Sequence, residues 1–231
     1  MRRLSAAIVM ALALSAALSA QVPTLDALER AVAADPENLR LAAEYRQRAI
    51  AAAQFDRSID FFERVAGRKG SGPNVRISLA LARVDKVPVA GEFRRLYLGR
   101  DAVGSLTKSI EIRPSVLAYY VRGLINLYYN NFIFHRVQKG IDDLHLAVSL
   151  VTPDTPRLLA WRVHMSLGDG YWRGLQPSQA REAWKKGLAL FPDAEDLIRR
   201  ANGADDVVEK LVHDAVDPDI RVDTTLRGMV P

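Results

Sequence analysis

Histidines and carboxylates are the side chains of this sequence that could hold a metal ion, and their spacing does not favour one. The histidines are His135, His145, His164 and His213. His145 has Asp142 three positions earlier, which brings the possible ligands on that helix face to two. A zinc site needs three or four ligands that converge on one point. The pattern therefore predicts a solvated helix face and no metal.

Motifs for nucleophilic or phosphate chemistry are also missing from the sequence. The stretch GRKGSG, Gly67 to Gly72, has the glycines of a phosphate loop, but no strand precedes it and Lys69 is not followed by serine or threonine. No G-x-S-x-G elbow of a serine hydrolase occurs, and the chain has no cysteine to serve as a nucleophile or a thiolate ligand. We therefore predict no catalytic residues, no cofactor and no enzyme activity.

A stretch rich in aromatic and amide side chains is the feature that most favours recognition of another molecule. Its residues are Tyr128, Tyr129, Asn130, Asn131, Phe132 and Phe134. Aromatic rings supply a large contact area and amides supply directional hydrogen bonds, so the combination suits a binding surface. The alternative interpretation is packing, in which the rings seal the fold beneath them.

Five prolines at a nearly constant interval divide the chain into units of similar length. Pro36, Pro73, Pro114, Pro153 and Pro192 are separated by 37, 41, 39 and 39 residues. Proline lacks a backbone N–H and clashes with the preceding turn, so a regular proline indicates a regular helix boundary. Each unit has room for two helices. The predicted first helices span 37–53, 74–84, 116–130 and 157–168.

The second helix of each unit carries the clearer apolar stripe. In the last unit the stripe consists of Ala180, Trp184, Leu188 and Phe191. Residues three and four positions apart share one face of a helix, so each stripe predicts a buried face.

The alternation of apolar and polar residues that is typical of a strand never persists in the sequence, which predicts an all-α fold. Segments 194–200 and 207–215, separated at Gly203, are predicted to be helices that cap the last unit.

The segment from Leu167 to Pro192, LGDGYWRGLQPSQAREAWKKGLALFP, resembles a tetratricopeptide repeat. Leu167 and Gly168 stand at its start, and Pro192 stands where the repeat ends with a proline. Ala180 stands where the two helices of a repeat approach closely, and Trp184 occupies the position of a large aromatic residue. Residues 102–114 and 54–66 resemble the second helix of the same repeat. The resemblance implies a right-handed α-α superhelix of about four tetratricopeptide-like helix pairs and a C-terminal capping helix.

The sequence departs from that family in the length of its units. They span 37 to 41 residues, against roughly 34 in the family. Val87 to Gly99 looks like an inserted or extended helix, and residues 129–139 look like an aromatic loop inserted between the helices of the third pair. We expect these insertions to reshape any partner groove locally.

In this family the first helices line the concave surface, which implies a binding role for arginines on those helices. Arg83, Arg122 and Arg162 lie on predicted first helices and could receive a carboxylate or an acidic peptide through forked hydrogen bonds. The alternative is a solvated face. The predicted partner-binding set is Arg83, Arg122, Tyr128, Tyr129, Asn130, Asn131 and Arg162.

Two functions are compatible with a non-enzymatic fold of this kind. The first is a scaffold or adaptor that binds a protein or peptide partner in the concave groove. The second is a helical accessory protein of an envelope transporter that binds a small molecule or solute. An open groove favours the first function, and an enclosed apolar cavity favours the second.

The amino terminus has the layout of a secretory signal peptide. Arg2 and Arg3 precede an uncharged stretch from Leu4 to Ala20. A transmembrane anchor fits less well, because the stretch is short for ~30 Å of hydrocarbon. We expect residues 1–20 to be removed, leaving a periplasmic or secreted protein with no stable membrane anchor. The remaining chain divides into a helical repeat domain over 21–215 and a charged tail over 216–231, expected to lie over the surface or to be mobile.

The charge of the chain argues against a nucleic-acid partner. Its formal net charge is +5, and acidic and basic residues are interspersed without a basic block. Nucleic-acid-binding proteins usually carry their positive charge in a stripe or patch. The sequence therefore predicts no nucleic-acid partner.

Overall fold

Eleven α-helices and no strand make up the part of the chain that the structure describes, which is residues 23–128, 136–217, 219 and 223–231 of a computed structural model. The helices are α1 Leu25–Ala34, α2 Leu39–Ala51, α3 Phe55–Ala66, α4 Pro73–Lys86, α5 Glu92–Ile112, α6 Val116–Tyr128, α7 Val137–Ser149, α8 Arg157–Arg173, α9 Pro177–Leu190, α10 Glu195–Asn202 and α11 Asp205–Asp214. The predicted all-α fold is confirmed.

The helices pair and stack as a repeat array. The pairs are α2 with α3, α4 with α5, α6 with α7, and α8 with α9. Each second helix packs against the first helix of its own pair and against the next helix along the array. This nearest-neighbour pattern is the one expected of a superhelical repeat, in which each pair hides its apolar face against the next.

The five regularly spaced prolines lie where one pair ends and the next begins. Pro73 is the first residue of α4, where its missing N–H breaks no helical hydrogen bond. Pro114 lies between α5 and α6, and Pro192 between α9 and α10. The proline interval therefore marks successive helix pairs, as the sequence predicts.

Two helices differ from the sequence-based expectation. Helix α5 is 21 residues long, because the predicted extension at 87–99 forms its first two turns after a short 3-10 turn, Val87–Val89. Helix α1 was not predicted. It is capped by the side chain of Thr24, and it buries Leu28 and Val32 against the array.

Some predicted segments lie outside the described residues. They are the leader, 1–20, and the part of the aromatic stretch from 129 to 135. Among the helices that are described, none combines the length and the apolar character needed to cross a lipid bilayer.

Gly123 of α6 and Gly140 of α7 allow these two helices to cross at close range. A side-chain carbon added at Gly140 would lie 2.7 Å from Leu127 Cδ2 and 3.0 Å from the carbonyl oxygen of Gly123. One added at Gly123 would lie 2.8 Å from Leu144 Cγ. The third helix pair therefore needs glycine on both sides of the crossing.

We expect Gly140→Ala to lower the free energy of unfolding by about 1–3 kcal/mol, because the added methyl group forces the two backbones apart. Gly104 of α5 is the matched control, since a carbon added there meets nothing within 4 Å. Gly104→Ala should raise the free energy of unfolding by about 0.5–1 kcal/mol, because alanine favours the helix interior. Urea denaturation measures both, and a change of the same sign in the two variants would contradict the close crossing.

Candidate functional site

The first helices α2, α4, α6 and α8 line one channel of the array, and we refer to this channel as the groove. Helix α2 packs against α4, and α6 packs against α8, so side chains from successive pairs face one channel. Its polar side chains include Arg46 and Gln47 of α2, Asp85 of α4, Tyr128 of α6 and Arg162 of α8.

Residues 223–231 lie in this groove, and we refer to them as the inserted segment. Leu226 and Met229 are 2% and 3% exposed, and both belong to the central hydrophobic core. The segment is not helical, and Leu226 and Gly228 adopt φ values of 57° and 72°. The expectation of a tail over the surface is therefore wrong for these residues. Contacts far along the chain hold them, and no local periodicity indicates such contacts.

Thr224 makes three hydrogen bonds with side chains of the groove. Its carbonyl oxygen accepts a hydrogen bond from Arg46 Nη2. Its hydroxyl donates to Asp85 Oδ1 and accepts from Gln47 Nε2 at 3.3 Å. Arg46 Nη1 also donates to Asp85 Oδ2 at 2.8 Å, so the two side chains form an ion pair beneath Thr224. The pair is 1% and 4% exposed.

Arg162 holds the inserted segment at a second point. Its Nη2 lies 3.6 Å from Asp223 Oδ2, and its Nη1 lies 3.5 Å from the sulfur of Met229. Burial alone would raise the pKa of Asp223, but hydrogen bonds from Thr225 and the charge of Arg162 outweigh burial and lower it. The Asp223 side chain is therefore a carboxylate at neutral pH, matched to the arginine.

The inserted segment does not fill the groove. On one side a cavity of about 360 Å³ remains between α4, α6, α8 and the segment, lined largely by aliphatic side chains such as Leu81, Val121 and Leu124. On the other side a more open space of about 600 Å³ lies between α2 and residues 225–231. The groove therefore has room for groups beyond those of the inserted segment.

Two residues of the predicted partner-binding set meet in this groove. Arg162 contacts the inserted segment, and Tyr128 lines the same cavity with a hydroxyl pKa raised by burial. Tyr129, Asn130 and Asn131 lie outside the described residues. The proposal that these side chains bind a partner stays a prediction.

The other two arginines of the set are engaged within the array. Arg83 donates to the carbonyl oxygen of Asp101 at 2.9 Å and to Glu63 at 2.8 Å, which ties α4 to α5 and α3. Arg122 makes a forked pair with Asp143 of α7, at 3.0 and 2.6 Å, and also donates to Thr107 of α5 at 3.0 Å. Both side chains bridge neighbouring helices and are not among the contacts of the inserted segment.

Asp142 and His145, considered for a metal, are also engaged with neighbours. Asp142 accepts from Gln138 at 2.9 Å, and His145 Nε2 lies 2.5 Å from the Tyr171 hydroxyl. Within the described ranges no three histidine or carboxylate side chains are grouped closely enough to hold a metal ion.

Sequence reasoning missed the ion pair of Arg46 and Asp85. The two residues stand 39 positions apart, whereas Pro36 and Pro73, which mark the starts of their helices, stand 37 apart. The repeat interval therefore does not pair Arg46 with Asp85. Charged neighbours in sequence, such as Arg48 and Lys86, also give no sign that the pair is buried.

Solved structures of tetratricopeptide-repeat proteins share this fold. TTC0263, a thermophilic TPR protein of Thermus thermophilus, aligns with a TM-score of 0.57 at 18% sequence identity, over 77% of this chain and 86% of that one. The MamA protein aligns with a TM-score of 0.52 at 20% identity, over 84% of this chain and 92% of that one. No family model and no curated protein sequence matches the chain. The resemblance seen in residues 167–192 is confirmed as a likeness of fold.

Proposed function

We propose that this chain is a non-enzymatic helical repeat scaffold that binds a non-helical segment of a protein or peptide in the groove. One observation supports the proposal above all others. The groove already takes such a segment from the chain itself, through side chains of three first helices. A surface that supplies hydrogen bonds to a main chain and apolar space to its side chains has what peptide recognition requires.

Different side chains of the groove contact different groups of the inserted segment, and this arrangement also supports peptide binding. The ion pair of Arg46 and Asp85 binds a carbonyl and a hydroxyl at one end. Arg162 faces the carboxylate of the neighbouring Asp223, and the apolar core accepts Leu226 and Met229. Specific recognition needs a few such anchors, surrounded by contacts that exclude water.

Selection of random peptides on the immobilised full-length chain tests this function. We expect ligands whose affinity falls by at least about 10-fold on the Arg46→Met/Asp85→Leu variant, because truncating anchor residues removes most of the binding energy. That variant replaces a buried ion pair with apolar side chains, a change that folded proteins tolerate. Selected ligands that bind this variant as tightly as the natural chain would contradict the proposal.

The exposed ion pair of Glu182 and Lys186 on α9 provides the control, with its N and O atoms 2.6 Å apart. Alanine at both positions removes one positive and one negative charge from side chains that line neither space of the groove. We expect unchanged peptide affinity for Glu182→Ala/Lys186→Ala. Equal losses in the two double variants would point to a general charge effect and away from the groove.

The cavity beside the inserted segment favours a second candidate function, the binding of a small molecule or solute. Its volume of about 360 Å³ falls within the range of pockets for small ligands, roughly 300–1,000 Å³. Aliphatic carboxylates and amines, tested by thermal shift, should then raise the unfolding temperature. Leu124→Trp, which places a large ring in the cavity, should abolish that shift, and no shift with either class would contradict this candidate.

The proposal includes export to the periplasm or the medium. The charged Arg2 and Arg3 and the uncharged run from Leu4 to Ala20 support it. Export should yield a mature amino terminus near residues 18–21, as measured by amino-terminal sequencing after cell fractionation. An intact Met1 in every fraction would contradict it.

A further inference from the structure

The inserted segment is held as a ligand would be held. Arg46 donates to the main-chain carbonyl of Thr224, a group that any residue offers. The Thr224 hydroxyl donates to Asp85 and accepts from Gln47, contacts that serine would also make. Nothing in these bonds requires that the bound residues belong to the same chain.

The ion pair of Arg46 and Asp85 makes the groove depend on an occupant. A buried ion pair is favourable only when further hydrogen bonds satisfy its remaining donors and acceptors. Thr224 supplies two of those bonds, one to each side chain. If the inserted segment leaves, another carbonyl and another hydroxyl must take its place or water must enter.

The hold on the inserted segment is limited to a few groups. Thr224, Leu226 and Met229 are buried, whereas Asp223, Arg227, Gly228 and Pro231 are exposed. Every ordered residue loses conformational entropy, including those that bury nothing. Three buried side chains, the partly buried Val230 and the contacts of Arg162 therefore hold nine ordered residues, a balance that allows release.

We infer that the inserted segment is an exchangeable ligand held in cis, and that the partner of the groove is a non-helical peptide with the same features. Those features are an aspartate, then threonine or serine, then leucine two positions after the hydroxyl residue. The inference rests on the proposed function and adds its ligand class and its regulation. A tethered segment acts at an effective concentration of about millimolar, so it excludes partners that bind more weakly than itself.

A reversible lock tests the exchange in the full-length chain, which contains no natural cysteine. A side-chain carbon at Gly228 would lie 3.8 Å from Leu158 Cβ on α8, the separation typical of a disulfide. Leu158→Cys/Gly228→Cys should therefore form a disulfide on oxidation and fix the segment in place. The two single variants serve as references, because any side chain at Gly228 is strained at a φ of 72°.

The probe is a fluorescein-labelled synthetic peptide with the sequence of residues 219–231. Its binding is measured by fluorescence anisotropy. We expect binding to the reduced lock variant and none to the oxidised one. Leu226→Asp/Met229→Asp should expel the segment, because it would bury two charges. This variant should bind the probe about 10- to 100-fold more tightly than the natural chain, since the tethered competitor is lost. A probe with Leu226→Asp should not bind.

The inference is overturned if the oxidised and reduced lock variants bind the probe equally, or if neither binds it. This test holds even if the Leu226→Asp/Met229→Asp variant fails to fold. Selected library peptides that bind the groove without being displaced by the probe would leave the proposed function standing and overturn the exchange. If neither the probe nor any library peptide binds the reduced lock variant, the proposed function and the exchange both fail.

Discussion

The Arg200→Met variant is expected to lose about 3–5 kcal/mol of the free energy of unfolding at neutral pH. Arg200 Nε lies 2.8 Å from Asp169 Oδ1, and the two side chains are 5% and 4% exposed. Burial raises the pKa of Asp169, and the charge and hydrogen bond of Arg200 oppose that rise. Removing Arg200 leaves a buried carboxylate without the cation that compensates it.

The pH dependence of this loss identifies its cause. The pKa of Asp169 in the folded chain lies above the ordinary value of 3.8, so the folded chain takes up this proton more readily than the unfolded chain. As the pH falls through the raised pKa, the carboxyl becomes neutral in the folded chain and its burial costs less. Urea denaturation near pH 7 and near pH 4 should therefore show a smaller loss at the lower pH.

The double variant Arg200→Met/Asp169→Leu separates charge from packing. Both charges are absent, so most of the stability lost in Arg200→Met should return. The indole N–H of Trp184, which donates to Asp169 Oδ1 at 3.0 Å, keeps the carbonyl oxygen of Met165 as an acceptor. A double variant as unstable as the single one would attribute the loss to packing.

The Trp184→Ala variant is expected to lose about 3–5 kcal/mol of the free energy of unfolding, because it leaves a large cavity in the last helix pair. Trp184 is fully buried, and its ring fills the space beside Gly168, where an added side-chain carbon would overlap the indole nitrogen. Ala180 and Leu197 pack in the same cluster. Little of the surrounding helix can move inward, because Gly168 has no side chain to fill the gap.

Phe93→Ala is the matched control for the tryptophan. Phe93 is 82% exposed on the first turn of α5, so its truncation should change the free energy of unfolding by less than about 0.5 kcal/mol. The same urea titration measures both variants. A loss in Trp184→Ala as small as that in Phe93→Ala would contradict the assignment of Trp184 as the central aromatic of the last pair.

The repeat architecture could be predicted because its signals are local. Pro73 indicates a helix boundary, and the apolar stripe through Trp184 indicates a buried helix face. Both signals come from residues close together in the sequence. Helix α1 has the same kind of signal, with Thr24 as its cap and a stripe through Leu28 and Val32. It was missed because the first regular proline, Pro36, follows it.

The partners of individual charged side chains could not be predicted in the same way. Arg122 and Arg162 occupy first helices, and sequence patterns treat them alike. In the structure Arg122 reaches Asp143 on its own second helix, whereas Arg162 reaches Asp223 near the C-terminus. A long side chain selects among carboxylates on several neighbouring helices, and periodicity carries no information about that choice.

The place of the inserted segment was the least predictable feature. Thr224 contacts Arg46 across 178 positions of sequence, and no repeat interval or helical stripe relates the two. The apolar residues Leu226 and Met229 stand in a short charged tail whose composition resembles that of an exposed terminus. Only the stacking of four first helices creates the groove that receives them.

Oxidation of the Leu158→Cys/Gly228→Cys variant tests most directly whether residues 223–231 occupy the groove. If they do, mild oxidation of the monomer should link the peptides that contain the two cysteines, as found by mass spectrometry after proteolysis without reductant. The linkage should form within one chain and survive dilution. Thiols that stay reduced, or that pair only between chains, would contradict the account.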